Sequence, residues 1–126
     1  MTLYAARNID FAPTINVDYP GDALPLTDAT ISMQVRQYPG AAGDADAEDA
    51  DVTFADGEHP SDPDLRRLIL EPTIAKASLE AMPGQNQPDP GDAQAFVYEI
   101  KITYADSEQD SLLSGDFILA AGVDAT

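Results

Sequence analysis

Apolar and polar positions alternate with period two along several stretches of this chain, most cleanly between residues 96 and 119. Phe96-Val97-Tyr98-Glu99-Ile100-Lys101-Ile102-Thr103-Tyr104 sets large apolar side chains among mostly polar ones. Ala105-Asp106-Ser107-Glu108 interrupts it, and Ser111 to Leu119 alternates again less cleanly. Successive side chains of a strand point to opposite faces, so this pattern predicts two half-buried strands joined by a short polar turn. Ile31, Met33 and Val35 share one face of another predicted strand, Ser32, Gln34 and Arg36 the other, and Pro39-Gly40 ends it. Asn8 to Phe11 and Ile15 to Tyr19 also alternate, with Pro13 bending the chain between them. Leu68-Ile69-Leu70, within Leu65 to Glu71, is a further short apolar run.

The intervening segments read differently. Ile74 to Met82 supplies helix formers, stopped by Pro83-Gly84, and Ala75, Leu79 and Met82 fall on one face of about two turns. Gly21 to Asp28 and Gln85 to Gln94 are rich in turn residues. Asp44 to Asp64 holds nine carboxylates in 21 residues and no Lys or Arg. We read residues 40–64 as a flexible, solvated acidic insertion, dispensable for folding, in which only Val52-Thr53-Phe54 could be extended. Six or seven strands, one short helix and two long loops predict one mainly β domain over residues 1–126, a small antiparallel sandwich or barrel. Met33, Val35, Ile100, Ile102, Phe117 and Leu119 are expected in one core between two sheets.

Composition narrows the function classes. Of 126 residues, 23 are Asp or Glu and six are Lys or Arg, a net charge of −17. The cations Arg7, Arg36, Arg66, Arg67, Lys76 and Lys101 are scattered, so nucleic acid and anionic lipid are expected to be repelled. No apolar run approaches the roughly 20 residues of a membrane span. Met1 to Arg7 has neither the basic nor the long apolar region of a signal peptide. With no cysteine there is no disulfide, thiolate nucleophile or thiolate metal site.

Candidate chemistry is sparse. The single histidine, His59, lies in Glu58-His59-Pro60-Ser61-Asp62, but a catalytic triad is a geometry on a rigid scaffold and not a neighbourhood in sequence. Asp44, Asp46, Glu48, Asp49 and Asp51 offer hard oxygens for calcium. An EF-hand loop opening at Asp44 would need Gly and Glu where Asp49 and Ala55 stand. Carboxylate pairs for glycoside hydrolysis are available, yet the chain has no Trp on which to stack a sugar. The expectation is a protein without enzymatic activity, cofactor or metal.

The order of segments resembles a group of small proteins encoded among the tail and baseplate genes of tailed bacteriophages. In that group a loop ending in Leu-Thr leads into a strand like Ile31-Ser32-Met33-Gln34-Val35-Arg36. A strand like Leu68-Ile69-Leu70 and a helix ending like Leu79-Glu80-Ala81-Met82-Pro83-Gly84 follow. An aromatic strand like Phe96-Val97-Tyr98-Glu99-Ile100 comes next, then one matched by Leu113-Ser114-Gly115-Asp116-Phe117-Ile118-Leu119 and Gly122-Val123. Over residues 8–38 and 65–124 the chain is similar to the immunoglobulin-like N-terminal domain of baseplate upper proteins. The resemblance implies an immunoglobulin-like β-sandwich and a structural role in a virion, made in the host cytoplasm. Its partners would be other virion proteins, in multiple symmetric copies or as a homo-oligomer.

Many of those proteins continue into a receptor-binding part, whereas this sequence stops at Thr126, which suggests a stand-alone connector, plug or decoration subunit. Capsid decoration remains open beside the tail. So does a different class, a bacterial carbohydrate- or calcium-binding module. Leu3, Tyr4 and Arg7 are the candidate partner contacts, because Met1 to Phe11 carries apolar residues that the core does not obviously require.

Overall fold

A computed structural model describes residues 1–126. Eight strands and one helix follow in the order β1 (Leu3–Ala6), β2 (Ile15–Pro20), β3 (Thr30–Arg36), β4 (Ala47–Asp49), β5 (Thr53–Glu58), β6 (Leu65–Glu71), α1 (Lys76–Glu80), β7 (Gln94–Thr103) and β8 (Gln109–Ala120). They form a mainly β fold of two sheets, ordered β1-β8-β7-β3-β4 and β2-β6-β5. Every neighbouring pair is antiparallel except β1 and β8, which run parallel with Leu3 beside Phe117 and Ala6 beside Ala120. No helix is long and apolar enough to cross a membrane.

The period-two faces become the inside of this sandwich. Ile31, Met33 and Val35 of β3, Ile100 and Ile102 of β7, and Phe117 and Leu119 of β8 are all fully buried. They join Leu68 and Leu70 of β6, and Ile15 of β2, in one cluster. Ile100→Asp puts an unpaired charge in that cluster and should cost several kcal/mol, enough to unfold a domain of ordinary stability. A variant that melts within a few degrees of the parent would remove Ile100 from the core.

The untidy alternation of residues 111–119 has a local cause. Ile100 pairs with Leu113 but Lys101 pairs with Ser111, so Leu112 is an extra residue, a β-bulge. The bulge shifts the phase once, and both Leu112 and Leu113 end half-buried.

Three expectations need correction. First, the acidic stretch is not a solvated insertion: it holds β4 and all of β5. β4 pairs with β3, and β5 pairs with β6 from Thr53–Glu71 to Glu58–Arg66. Val52, at the crossing between the sheets, is buried and donates its N–H to Ile31 O at 2.8 Å. Its carboxylates point outward or find partners: Asp49 Oδ2 accepts Thr73 N at 2.8 Å, and Asp56 pairs with Arg66.

Second, the first strand is Leu3–Ala6 and not Asn8–Phe11, which contributes only a lone bridge between Phe11 and Ile74. Third, the helix is shorter than Ile74–Met82. Ile74 N–H and C=O are committed to Phe11, at 2.9 Å each, which holds Ile74 extended and delays the helix to Lys76. Leu79 and Met82 still face the core, but Ala75 is exposed.

Candidate functional site

Strand β1 alternates like the others, so the three candidate contacts separate by face. Leu3 points inward and is buried. Tyr4 points outward and is 74% exposed. Arg7, just beyond the strand, points inward and is only 2% exposed. Leu3 and Arg7 are therefore parts of the fold, and of the three only Tyr4 presents its side chain to solvent.

The guanidinium of Arg7 completes the helix end. The last carbonyls of a helix lack intrahelical donors, and α1 has no basic residue in its own last turn. Arg7 Nη1 donates to Leu79 O at 3.1 Å and Met82 O at 2.7 Å, and Nη2 donates to Pro83 O and Gln94 Oε1 at 3.0 Å each. Nε is buried with no partner. Burial lowers the Arg7 pKa from its ordinary value. Gln94 Nε2 donates onward to Asp92 O at 2.7 Å, so Arg7 also fixes the loop leading into β7.

Beside β1, the chain turns through Ile9 toward Phe11, whose ring packs edge-on against Phe117 at 5.2 Å. A groove of about 410 Å³ lies there, walled by Tyr4, Ala6, Ile9, Ala12 and Pro13, with Asp10 its only charged residue. Ile9 is 60% exposed. The outer face of the five-stranded sheet carries a second, more polar groove of about 510 Å³ between Arg36, Tyr38, Glu99 and Asp116.

The histidine does meet a serine and an aspartate, but not the nearest aspartate in sequence. Ser61 Oγ is 3.4 Å from His59 Nδ1, and His59 Nε2 is 3.4 Å from Asp18 Oδ2. A triad needs a free lone pair to take the serine proton. Here the Nδ1 lone pair already accepts the backbone N–H groups of Ser61 at 3.1 Å and Asp62 at 2.9 Å. The Arg67 guanidinium holds Asp18 at 2.8 and 3.2 Å and lies 3.0 Å from Nε2. This cluster ties the β5–β6 turn to β2, and its geometry does not equip Ser61 for attack. A second network, Tyr19, Asp56 and Arg66, joins all three strands of the small sheet: the Tyr19 hydroxyl donates to Asp56 Oδ1 at 2.7 Å, and Arg66 Nη2 to Oδ2 at 2.9 Å. No three His, Asp or Glu side chains gather at a spacing suited to a metal ion.

Hydrogen bonding from Arg67 is the main cause that holds the Asp18 carboxyl below its usual range. A depressed carboxyl stabilises the fold above the unfolded value of about 3.9. That contribution is lost as pH falls through the lower folded value. Asp18→Asn should therefore lower the melting temperature at pH 6, by an amount that shrinks as the pH falls below about 3.9. A gap that stays constant as the pH falls would contradict a stabilising pair. The chain matches no protein-family model, and no curated protein matches it as a relative.

Proposed function

We propose that this chain is a non-enzymatic structural subunit of a tailed phage particle, acting through protein contacts in the tail or baseplate. The observation that carries the proposal is the open β1 edge, where Tyr4 and Ile9 stand exposed beside an apolar groove. The division of strands supports it: β2, β6 and β5 face β8, β7, β3 and β4, as immunoglobulin-like sandwiches divide their strands. This arrangement agrees with the resemblance to baseplate upper proteins, although neither a Cys pair nor a Trp ties the sheets together. The charge of −17 favours contacts with less acidic proteins over nucleic acid.

Immunogold electron microscopy of purified particles, with antibody against this chain, tests the reading. Label at the tail end is the expected result. Label spread over the head would transfer the chain to capsid decoration, and unlabelled particles would overturn a virion role.

A further inference from the structure

We propose that the open edge of β1 accepts one further strand, an extended segment of a different protein flanked by Lys or Arg. This rests on the reading of the chain as a subunit of an assembly and names the chemistry of its partner.

The backbone supplies the first argument. Arg7 N donates to Ala120 O at 2.9 Å. Alternate residues of a strand turn their N–H and C=O groups to the same side, so Leu3, Ala5 and Arg7 face β8. Tyr4 and Ala6 then face the open side. Ala6 O takes only a long bond of 3.4 Å from Ile9 N. The edge presents hydrogen-bonding groups that an extended chain can complete.

The four edge strands differ, and the difference singles out β1. Natural sheets protect their edges with charge, proline or bulges. β4 carries Glu48 and Asp49, β5 carries Asp56 and Glu58, and β2 carries Asp18 and Pro20. β1, Leu3-Tyr4-Ala5-Ala6, has no charged residue and no proline. It is also the edge flanked by two large exposed apolar side chains, Tyr4 and Ile9, which an added strand would cover.

Charge selects the occupant. A second copy of this chain brings another −17 and is opposed at low salt. The groove has Asp10 as its one charged residue and no basic residue. A segment with Lys or Arg at its ends is drawn to such a surface.

Amide NMR titration of the whole chain tests the proposal with two peptides of alternating Val and Thr, one ended by Lys and one by Glu. The Lys-ended peptide should shift the Tyr4, Ala6 and Ile9 amides saturably, and the Glu-ended one should bind about tenfold more weakly or worse. Ala6→Pro removes the outward N–H without touching the ladder to β8, and should weaken the Lys-ended peptide by about tenfold. Tyr4→Lys, which leaves the backbone intact, should do the same. Shifts confined to other strands, equal binding of both peptides, or indifference to both substitutions would overturn the proposal. A sedimentation mass that doubles and is halved again by either substitution would give the edge to a second copy instead. Peptide binding by a chain missing from particles would sink the virion reading alone, and labelled particles without peptide binding would sink this one alone.

Discussion

Replacing residues 44–64 with a short Gly-Ser link is expected to unfold the protein. The replacement deletes β4 and β5, strips the three-stranded sheet to the β2–β6 pair, and removes Val52 and Ala47 from the core. Half-buried Phe54 goes with them. Each large apolar side chain taken from a core forfeits about 1.5–3 kcal/mol, against a total stability of about 5–15 kcal/mol for a domain. Arg66 would also lose the carboxylate of Asp56. The far-ultraviolet circular dichroism of the variant should show no cooperative melt. A cooperative transition near that of the parent would show that β5, despite its six-residue pairing with β6, is not needed for the fold.

Arg7→Met is expected to cost roughly 3–5 kcal/mol. The substitution keeps an apolar stem but removes the Arg7 donors from the Met82 and Pro83 carbonyls, and leaves Leu79 O with only the Met82 N–H at 3.3 Å. Arg7→Lys should recover little, because a single ammonium cannot reproduce the planar fork that spans four backbone carbonyls and Gln94. Differential scanning calorimetry should show a fall of more than about 10 °C for Arg7→Met. A shift of only a few degrees would contradict the helix-end role. By the same argument, a chain lacking Met1 to Arg7 loses Leu3, the β1–β8 ladder and this anchor, so it is expected to melt far below the parent.

Where side-chain alternation was strong the sequence predicted the fold well. The hairpin of β7 and β8, the β3 strand and the six named core positions all follow from period two, and the bulge at Leu112 is visible as a break in phase. The acidic strands were hidden for a physical reason. In β5 the inward phase runs from Phe54 to Asp56, so a carboxylate occupies a position where a hydrophobe is expected. Its compensation, Arg66 and Tyr19, lies ten residues onward and 37 residues back in the chain. No local window contains that pairing.

The candidate site was half legible. Apolar character near the start of the chain pointed to Leu3 and Tyr4, but a stretch of four residues does not reveal which face will be covered. Arg7 is more instructive. A lone arginine after an apolar run resembles a surface cation, and its real partners are backbone carbonyls more than 70 residues away, which leave no trace in side-chain identity. Ile9 lies within the Met1 to Phe11 stretch expected to dock, but its alternation with Phe11 gives no sign that its side chain stays exposed. The parallel register of β1 on β8, which decides that Tyr4 and Ala6 face the open edge, is a tertiary outcome that no local pattern encodes.

On the proposed reading, the protein works through contacts at the β1 edge. Hydrogen exchange measured by mass spectrometry, on the free protein and on the same protein within purified particles, tests it most directly. Peptides covering residues 3–13 should exchange quickly in the free state at the amides of Tyr4 and Ala6, and become strongly protected in particles. Unchanged exchange at residues 3–13, with new protection appearing instead at the Arg36–Asp116 groove, would contradict it.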